Sequence, residues 1–331
     1  MVTHIEQIGE TSLSRAKAIL EEGGAVAFPT ETVYGLGADA RCDAAVAGIY
    51  RIKGRPSDNP LIVHVHKDYD IDKLVYDDRP YAKKLREAFL PGPLTLVYRS
   101  RGAVCGRVSC GLDTLAVRVP SHEGAQRFLR YVDIPVAAPS ANLSKHISPV
   151  SAEHVYFDLQ GRIPLILDGG ASDGGIESTV CDVTGDVPVV LRAGLVSREM
   201  IASVVGCCES YAPTAGQLVR SPGIKNNHNA PACKTRLFEA DHVSDAVRCV
   251  KELLAEGKKV RVLCEHAAAP AFDDALVLDL GRDGREMASN LYDLLRRAET
   301  CADVLVAVRP QQKDGIMEGV QNRLGKACAE E

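Results

Sequence analysis

The chain has 331 residues, 46% of them hydrophobic and 25% charged, which suits about two soluble domains with sizeable cores. A formal net charge of −5 argues against a protein whose main task is to grip a nucleic-acid backbone, since that needs a clustered surplus of Lys and Arg. The 11 Cys show no Cys-x-x-Cys spacing and no apolar run approaches the roughly 20 residues that span a bilayer, so neither a zinc site, a disulfide framework nor a membrane segment is indicated, and a cytoplasmic protein is expected.

Leu13 to Leu20 repeats apolar residues at helical spacing, Gly23 and Gly24 end the run, and Ala25 to Phe28 reads as a buried strand. A polar loop, Phe28 to Gly37, follows it. Asp43 is expected to cap a helix that runs through Ile52 and stops at Gly54. A second polar loop, Lys53 to Pro60, then leads into the strand Leu61 to Val65. Next come an amphipathic helix near Tyr81 to Phe89, a Pro-Gly-Pro break at Pro91 to Pro93, strands at Leu94 to Tyr98 and Leu115 to Val119, and a helix capped by Ser121. Strands are expected at Pro135 to Ala138, Pro164 to Leu167, Ser178 to Val183 and Val187 to Leu191, with a helix at Ser197 to Val205. Periodicity fails between Gly206 and Lys234, where prolines and glycines punctuate a polar stretch. Beyond it, strands at Thr235 to Glu239, Val260 to Cys264, Ala275 to Leu280 and Asp303 to Val308 alternate with helices at Val243 to Glu256, Arg285 to Ala298 and Gly315 to Ala329. That alternation argues for a small open parallel sheet covered by helices. The chain thus divides into residues 1–205, a linker at 206–234 and a second domain at 235–331.

Chemistry concentrates on loops that end buried elements, where a rigid scaffold presents polar groups to a ligand. Lys53 and Arg55 stand two residues apart on a loop stiffened by Pro56 and Pro60 and followed by Ser57 and Asn59. Cations there also complement a helix C-terminus, but a rigid pair suits a triphosphate. Pro139, Ser140, Ala141 and Asn142, with Ser148 downstream, form either a turn or a ligand site. Thr30, Thr32 and Tyr34 offer hydroxyls, while Gly35 and Gly37 lack the third glycine of a dinucleotide fingerprint. His64 and His66, two apart on a strand, should face the same side; with no further ligand evident, His64 is read as packed or as touching substrate. Arg118 lies inside an apolar strand and needs a carboxylate partner, from the protein or from a substrate. The glycine-rich stretch from Asp168 to Thr179 is read as mainly structural, and Arg192 at a strand end as a phosphate contact.

Taken in order, these motifs resemble the YrdC-like family in its two-domain form, over nearly the whole chain. The resemblance is carried by Lys53-x-Arg55 with Ser140-x-Asn142, the run Phe28 to Leu36, Asn59-Pro60-Leu61, Pro91 to Thr95 and Val117 to Pro120. Past the linker, Ser289 to Tyr292, Leu294 to Arg297 and Gly319 to Leu324 look like that family's second domain. The resemblance implies an α/β fold: a YrdC-like mixed twisted sheet with helices, linked to a small Rossmann-like open parallel α/β domain. It implies a nucleotidyltransferase that joins L-threonine, bicarbonate or CO2, and ATP accompanied by Mg²⁺ into threonylcarbamoyl-AMP with release of pyrophosphate. The product would serve modification of the adenosine beside the anticodon of tRNA, by hand-off to a tRNA threonylcarbamoyl transferase complex, with direct tRNA binding weak or absent. By the same resemblance threonine touches Thr32, His64, Arg118, Ala138 and Ser178. ATP touches Arg55, Asn59, Thr114, Ser140, Ser148 and Arg192, and Lys53 and Asn142 complete a catalytic cluster with Arg55 and Ser140.

The family's linker folds over the nucleotide, and here it departs from the pattern: Asn226 and Asn229 stand where the family has tyrosines. Asn229 is retained as an ATP contact because an amide can hydrogen-bond phosphate. Two other readings are an RNA-binding or ribosome-assembly module and a related enzyme that forms another acyl or carbamoyl adenylate. The acidic balance and the lack of an aromatic-basic pattern count against the first.

Overall fold

The computed structural model describes residues 1–211 and 230–328. In the first domain the strands are β1 (His4–Gln7), β2 (Val26–Phe28), β3 (Gly35–Asp39), β4 (Ile62–His64), β5 (Val75–Tyr76), β6 (Leu94–Ser100), β7 (Thr114–Arg118), β8 (Val136–Ala138), β9 (Leu165–Asp168), β10 (Thr179–Asp182), β11 (Val189–Arg192) and β12 (Glu209–Ser210). They form one mixed sheet in the order β1-β9-β2-β3-β8-β4-β7-β6-β10-β11-β12, with β5 beside β6. The three-residue strands β2, β4 and β8 are wholly buried and, apart from His64 at the end of β4, apolar, as expected of central strands covered on both faces.

Three local expectations change. The run Phe28 to Gly37 is only half a loop, since Gly35 to Gly37 open the buried strand β3. The reason is steric: a Cβ on Gly37 would lie 2.7 Å from Val136 Cγ1 and 2.9 Å from the Phe28 ring, so a glycine lets β3 pass beneath both. The helix Asp43–Lys53 has Cys42 at its N-cap, and Asp43 instead sits in the first turn and pairs with Arg107 at 2.9 Å. Its other end is as expected, with Gly54 left-handed at φ 62°. The helix Glu123–Val132 is capped by His122, whose Nδ1 accepts from the Ala125 N–H, rather than by Ser121. All eleven cysteines are free thiols, and no helix among the described residues is long and apolar enough to cross a membrane.

The second sheet is parallel throughout, with β13 (Lys234–Phe238), β14 (Val260–Cys264), β15 (Val277–Asp279) and β16 (Val304–Val308) in the order β13-β16-β14-β15. The helix Val243–Ala255 packs on one face. The helices Gly284–Cys301 and Ile316–Ala327 pack on the other, in a core shared with Val33, Ile147, Val150 and Ile176 of the first domain. Both ends of the expected linker are structured, since Glu209–Ser210 extends the first sheet and Lys234 opens the second. Ser221, Pro222, Gly223, Asn226 and Asn229, and with them the expected closure over the nucleotide, lie outside the described residues.

The helix Gly284–Cys301 is buried on more than one side because it separates the second sheet from the first domain. Leu291 and Leu295 belong to the apolar core, while Tyr292 and Arg296, one turn apart, are also buried and reach the first domain. Arg296 Nη2 lies 2.9 Å from Asp158 Oδ2 and donates to the Ile147 carbonyl as well. The fit is closest at Gly175, with φ +68°, where an added Cβ would lie 2.2 Å from the Ala288 carbonyl oxygen. Arg296→Met should cost about 3–5 kcal/mol in denaturant unfolding by removing the guanidinium partner of the buried Asp158 carboxylate and leaving it His146 at 3.1 Å, and adding Asp158→Asn should recover much of it. A loss below about 1 kcal/mol would show that the pair does not hold the domains together.

Candidate active site

One cleft collects most of the polar residues singled out above, and it lies where loops from the first sheet meet the helix Ile316–Ala327. Thr32, Lys53, Arg55, His64, Arg118, Ala138, Ser140, Asn142, Ser148, Ser178 and Arg192 all line it. Asn59 is buried behind Arg55, whose Nη2 lies 3.4 Å from the Asn59 carbonyl oxygen. Thr114 begins β7, four residues before Arg118 on the same strand, and is not among the lining residues. Asn229 lies outside the described residues.

The Lys53 end is built on local hydrogen bonding. Lys53 Nζ donates to the carbonyls of Ser140 and Asn142 and to Asn142 Oδ1, so three acceptors meet the three protons of an ammonium. Burial, and then the neighbouring Arg55, pull its pKa well below the ordinary lysine value. Asn142 Oδ1 also accepts from Ser140 Oγ at 2.6 Å, and its Nδ2 donates to the Leu143 and His146 carbonyls at 2.9 and 2.6 Å. Asn142 therefore shapes the loop and aims Lys53, while Arg55 keeps its Nε buried without a hydrogen-bond partner.

Elsewhere in the cleft, Thr30 Oγ1 bonds the Val33 carbonyl at 2.6 Å and the Thr32 hydroxyl at 2.9 Å, which fixes the turn between β2 and β3. Arg118 Nη1 donates to Thr32 Oγ1 at 2.8 Å. The carboxylate that Arg118 requires is Glu31, whose Oε1 lies 2.8 Å from Nη2. The contact is one of charge more than of alignment, since Arg118 Nη2 and both Glu31 oxygens are buried without a well-formed hydrogen bond. Burial alone would raise the Glu31 pKa, but Arg118 outweighs it and holds the carboxyl below its ordinary value.

His64 and His66 part company because β4 ends at His64. His66 Nε2 turns to Asp133 Oδ1 at 2.9 Å, whereas His64 remains in the cleft. Burial, and then Arg118, push the His64 imidazole down to about 3, so it is neutral at working pH. Its Nδ1 donates to the Ile62 carbonyl at 3.1 Å, and in that tautomer Nε2 carries the lone pair.

Glu177 belongs to the stretch read as mainly structural, yet it lines the cleft. Its carboxylate accepts from Ser148 Oγ at 2.7 Å, from the Tyr292 hydroxyl at 2.9 and 3.1 Å, and from Arg323 Nε at 3.0 Å. Burial raises its pKa, but Arg323, Arg192 and the Ser148 bond prevail and hold it at about 2. Arg192 Nε and Nη2 donate to the carbonyl and hydroxyl oxygens of Ser178, which in turn meets Thr95 Oγ1 at 2.8 Å. Asn322, Arg323 and Lys326 of the second domain also line the cleft. In the sequence Tyr292, Asn322 and Arg323 stand in second-domain motifs, with nothing local to mark them as parts of the site.

Comparison with known proteins agrees with this two-domain arrangement. The family described as "Telomere recombination" (Sua5–YciO–YrdC) matches residues 18–194, and "Threonylcarbamoyl-AMP synthase, C-terminal domain" matches residues 196–329. The threonylcarbamoyl-AMP synthase of Pyrococcus abyssi is 41% identical over 97% of this chain and 95% of its own length. That of Bacillus subtilis is 38% identical over 99% of this chain and 96% of its own. The crystal structure of P. abyssi Sua5 complexed with L-threonine superposes with a TM-score of 0.89 at 38% identity, covering 99% of this chain and 97% of that one.

Proposed function

The chain belongs to the Sua5–YciO–YrdC family in its two-domain form, and from that premise we propose that it is a threonylcarbamoyl-AMP synthase, a nucleotidyltransferase acting on L-threonine, bicarbonate or CO2, and ATP. The observation that carries the reading is one cleft lined by two chemically distinct sets of residues. Thr32, neutral His64 and Arg118 suit a small amino acid, and Lys53, Arg55 and Arg192 suit a polyphosphate.

In this reading the threonine carboxylate approaches Arg118 Nη2, and the Thr32 hydroxyl fixes the guanidinium from its other side. His64 Nε2 offers an acceptor to the substrate's ammonium or hydroxyl. The ammonium loses one proton to become the amine, which adds to CO2 and releases a second proton to solvent to give a carbamate. A carbamate oxygen then attacks the α-phosphorus of ATP as the bond to pyrophosphate breaks. No protein nucleophile is needed, so this chain's task is positioning and stabilisation of charge on phosphate oxygens. Lys53, Arg55 and Arg192 supply the fixed cations, and Ser140 and Ser148 the oriented hydroxyls.

Mg²⁺ fits this site as a companion of the substrate rather than as a resident ion. Among the described residues no group of three or more His, Cys, Asp or Glu side chains could hold a metal, and the lining carboxylate Glu177 is engaged by Arg323, Tyr292 and Ser148. A cation that enters coordinated to ATP phosphates needs no such cage. The product would pass to a tRNA-modifying transferase. The test is pyrophosphate release from ATP with Mg²⁺, which should require both L-threonine and bicarbonate; release indifferent to threonine would sink the proposal.

A further inference from the structure

Arg323 is carried by the second domain but ends inside the first domain's cleft. Only 3% of it is exposed, and its guanidinium is held from two directions: Nε donates to Glu177 Oε2 at 3.0 Å and Nη1 to the Ala193 carbonyl at 2.6 Å. The third nitrogen, Nη2, is buried and has no hydrogen-bond partner, although Arg323 lines the cleft. A buried guanidinium proton without an acceptor costs more than an ordinary lost hydrogen bond, so the arrangement is complete only when an acceptor arrives. The helix that carries Arg323 is seated closely. A Cβ on Gly319, one turn away, would lie 3.1 Å from Ile176 Cδ1 and 3.2 Å from Gly194 Cα, which leaves little freedom for Arg323 to swing out.

The surroundings indicate what that acceptor is. Glu177 joins Arg323 to the Ser148 hydroxyl, and Tyr292 of the same domain holds the carboxylate from a further side. Arg192 is close enough that, after burial, the Arg323 charge is the next cause lowering its pKa to about 10. The charges of Arg192 and Arg323 both act on Glu177, so this buried corner holds two guanidiniums and one carboxylate, and a phosphoryl group, with several oxygens, is an anion suited to it.

We propose that Arg323 is a nucleotide-binding and positioning residue supplied by the second domain: Nη2 binds a phosphoryl oxygen of ATP, while Nε, through Glu177, sets the Ser148 hydroxyl. The proposal rests on the reading of the cleft as an ATP site. It gives the second domain a direct part in the first domain's chemistry, since its helix completes the nucleotide end of the cleft.

The test is calorimetric titration of the full chain with Mg-ATP in the absence of threonine, alongside steady-state kinetics. Arg323→Met should weaken ATP binding at least tenfold and raise the KM for ATP by a similar factor, with the KM for threonine changed less than twofold. Because Arg323→Met removes the guanidinium that donates to Glu177, the double variant Glu177→Gln with Arg323→Met is measured as well. It should melt near the parent chain and still bind ATP weakly. Arg323→Lys keeps a cation but loses the planar fork, so it should restore little of the ATP affinity. ATP affinity within twofold of the parent in the double variant would overturn the proposal, and so would equal losses for ATP and threonine accompanied by a lower melting temperature. Binding without threonine separates this result from the parent reading: a chain that binds ATP through Arg323 but releases no threonine-dependent pyrophosphate keeps the inference and loses the proposed reaction.

Discussion

Arg118→Met is expected to raise the KM for L-threonine about thirtyfold or more, the lower end of what losing one side of a buried, hydrogen-bonded charge pair costs. It should also make the protein's stability fall as the pH rises. Arg118 is 4% exposed, and Glu31 is the carboxylate placed against it. In the parent chain the folded-state pKa of Glu31 lies below its unfolded value, so the pair stabilises the fold above that unfolded value and the benefit fades as pH falls through the folded one. Without Arg118 the chief remaining influence is burial, which raises the pKa. The sign then reverses: the variant is least affected near pH 4 and progressively destabilised as Glu31 is forced to ionise. Thermal melting at pH 5 and pH 8 should show a larger deficit at pH 8, and Arg118→Met with Glu31→Gln should recover stability without recovering threonine affinity. Recovery of both would mean that Arg118 serves only to neutralise Glu31, and the proposed threonine contact would fall.

The polar loops of the first domain are legible because small hydroxyl residues, amides and paired cations interrupt apolar runs at strand and helix ends. That syntax places Lys53, Ser140, Asn142 and Arg192 before any tertiary contact is known. The strand β3 is harder to read, since its glycines carry no side chain to register in a hydrophobic pattern, and they are there because Val136 and Phe28 leave no room. Arg118 is a case where energetics anticipates a contact: an apolar strand demands a carboxylate, though only the fold shows that Glu31 meets it. Glu177, Tyr292 and Arg323 lie beyond that reach. Each sits in a stretch that reads satisfactorily as a glycine turn or as one helix of a Rossmann-like unit. Their cooperation depends on how one domain docks on the other. A trace remains in the i,i+4 spacing of Tyr292 and Arg296, which places two polar residues beside the core positions Leu291 and Leu295 on a helix that must be buried on both sides.

Lys53→Met is expected to lower turnover about 10²–10³-fold, the usual effect of deleting one preorganised donor to developing charge. The pH dependence says more than the magnitude. In the free protein, burial and then Arg55 depress the Lys53 pKa, although three oxygen acceptors are in place to receive an ammonium. A triphosphate entering the cleft adds the anion that the cation lacks, so its binding should raise that pKa. ATP affinity attributable to Lys53 is then fully present below the free-state pKa and lost as pH rises through the higher pKa of the complex, with net proton uptake on binding between the two. Calorimetry in buffers of different ionisation enthalpy should detect this uptake in the parent chain and find it diminished in Lys53→Met, with a flatter alkaline limb for ATP affinity. Arg55→Met should also lose turnover, but it should shift the uptake to higher pH rather than abolish it, because Arg55 does not itself titrate in the working range and is one of the causes that depress Lys53. Unchanged uptake in Lys53→Met, or turnover within tenfold of the parent, would show that Lys53 serves the Ser140–Asn142 loop and not the nucleotide.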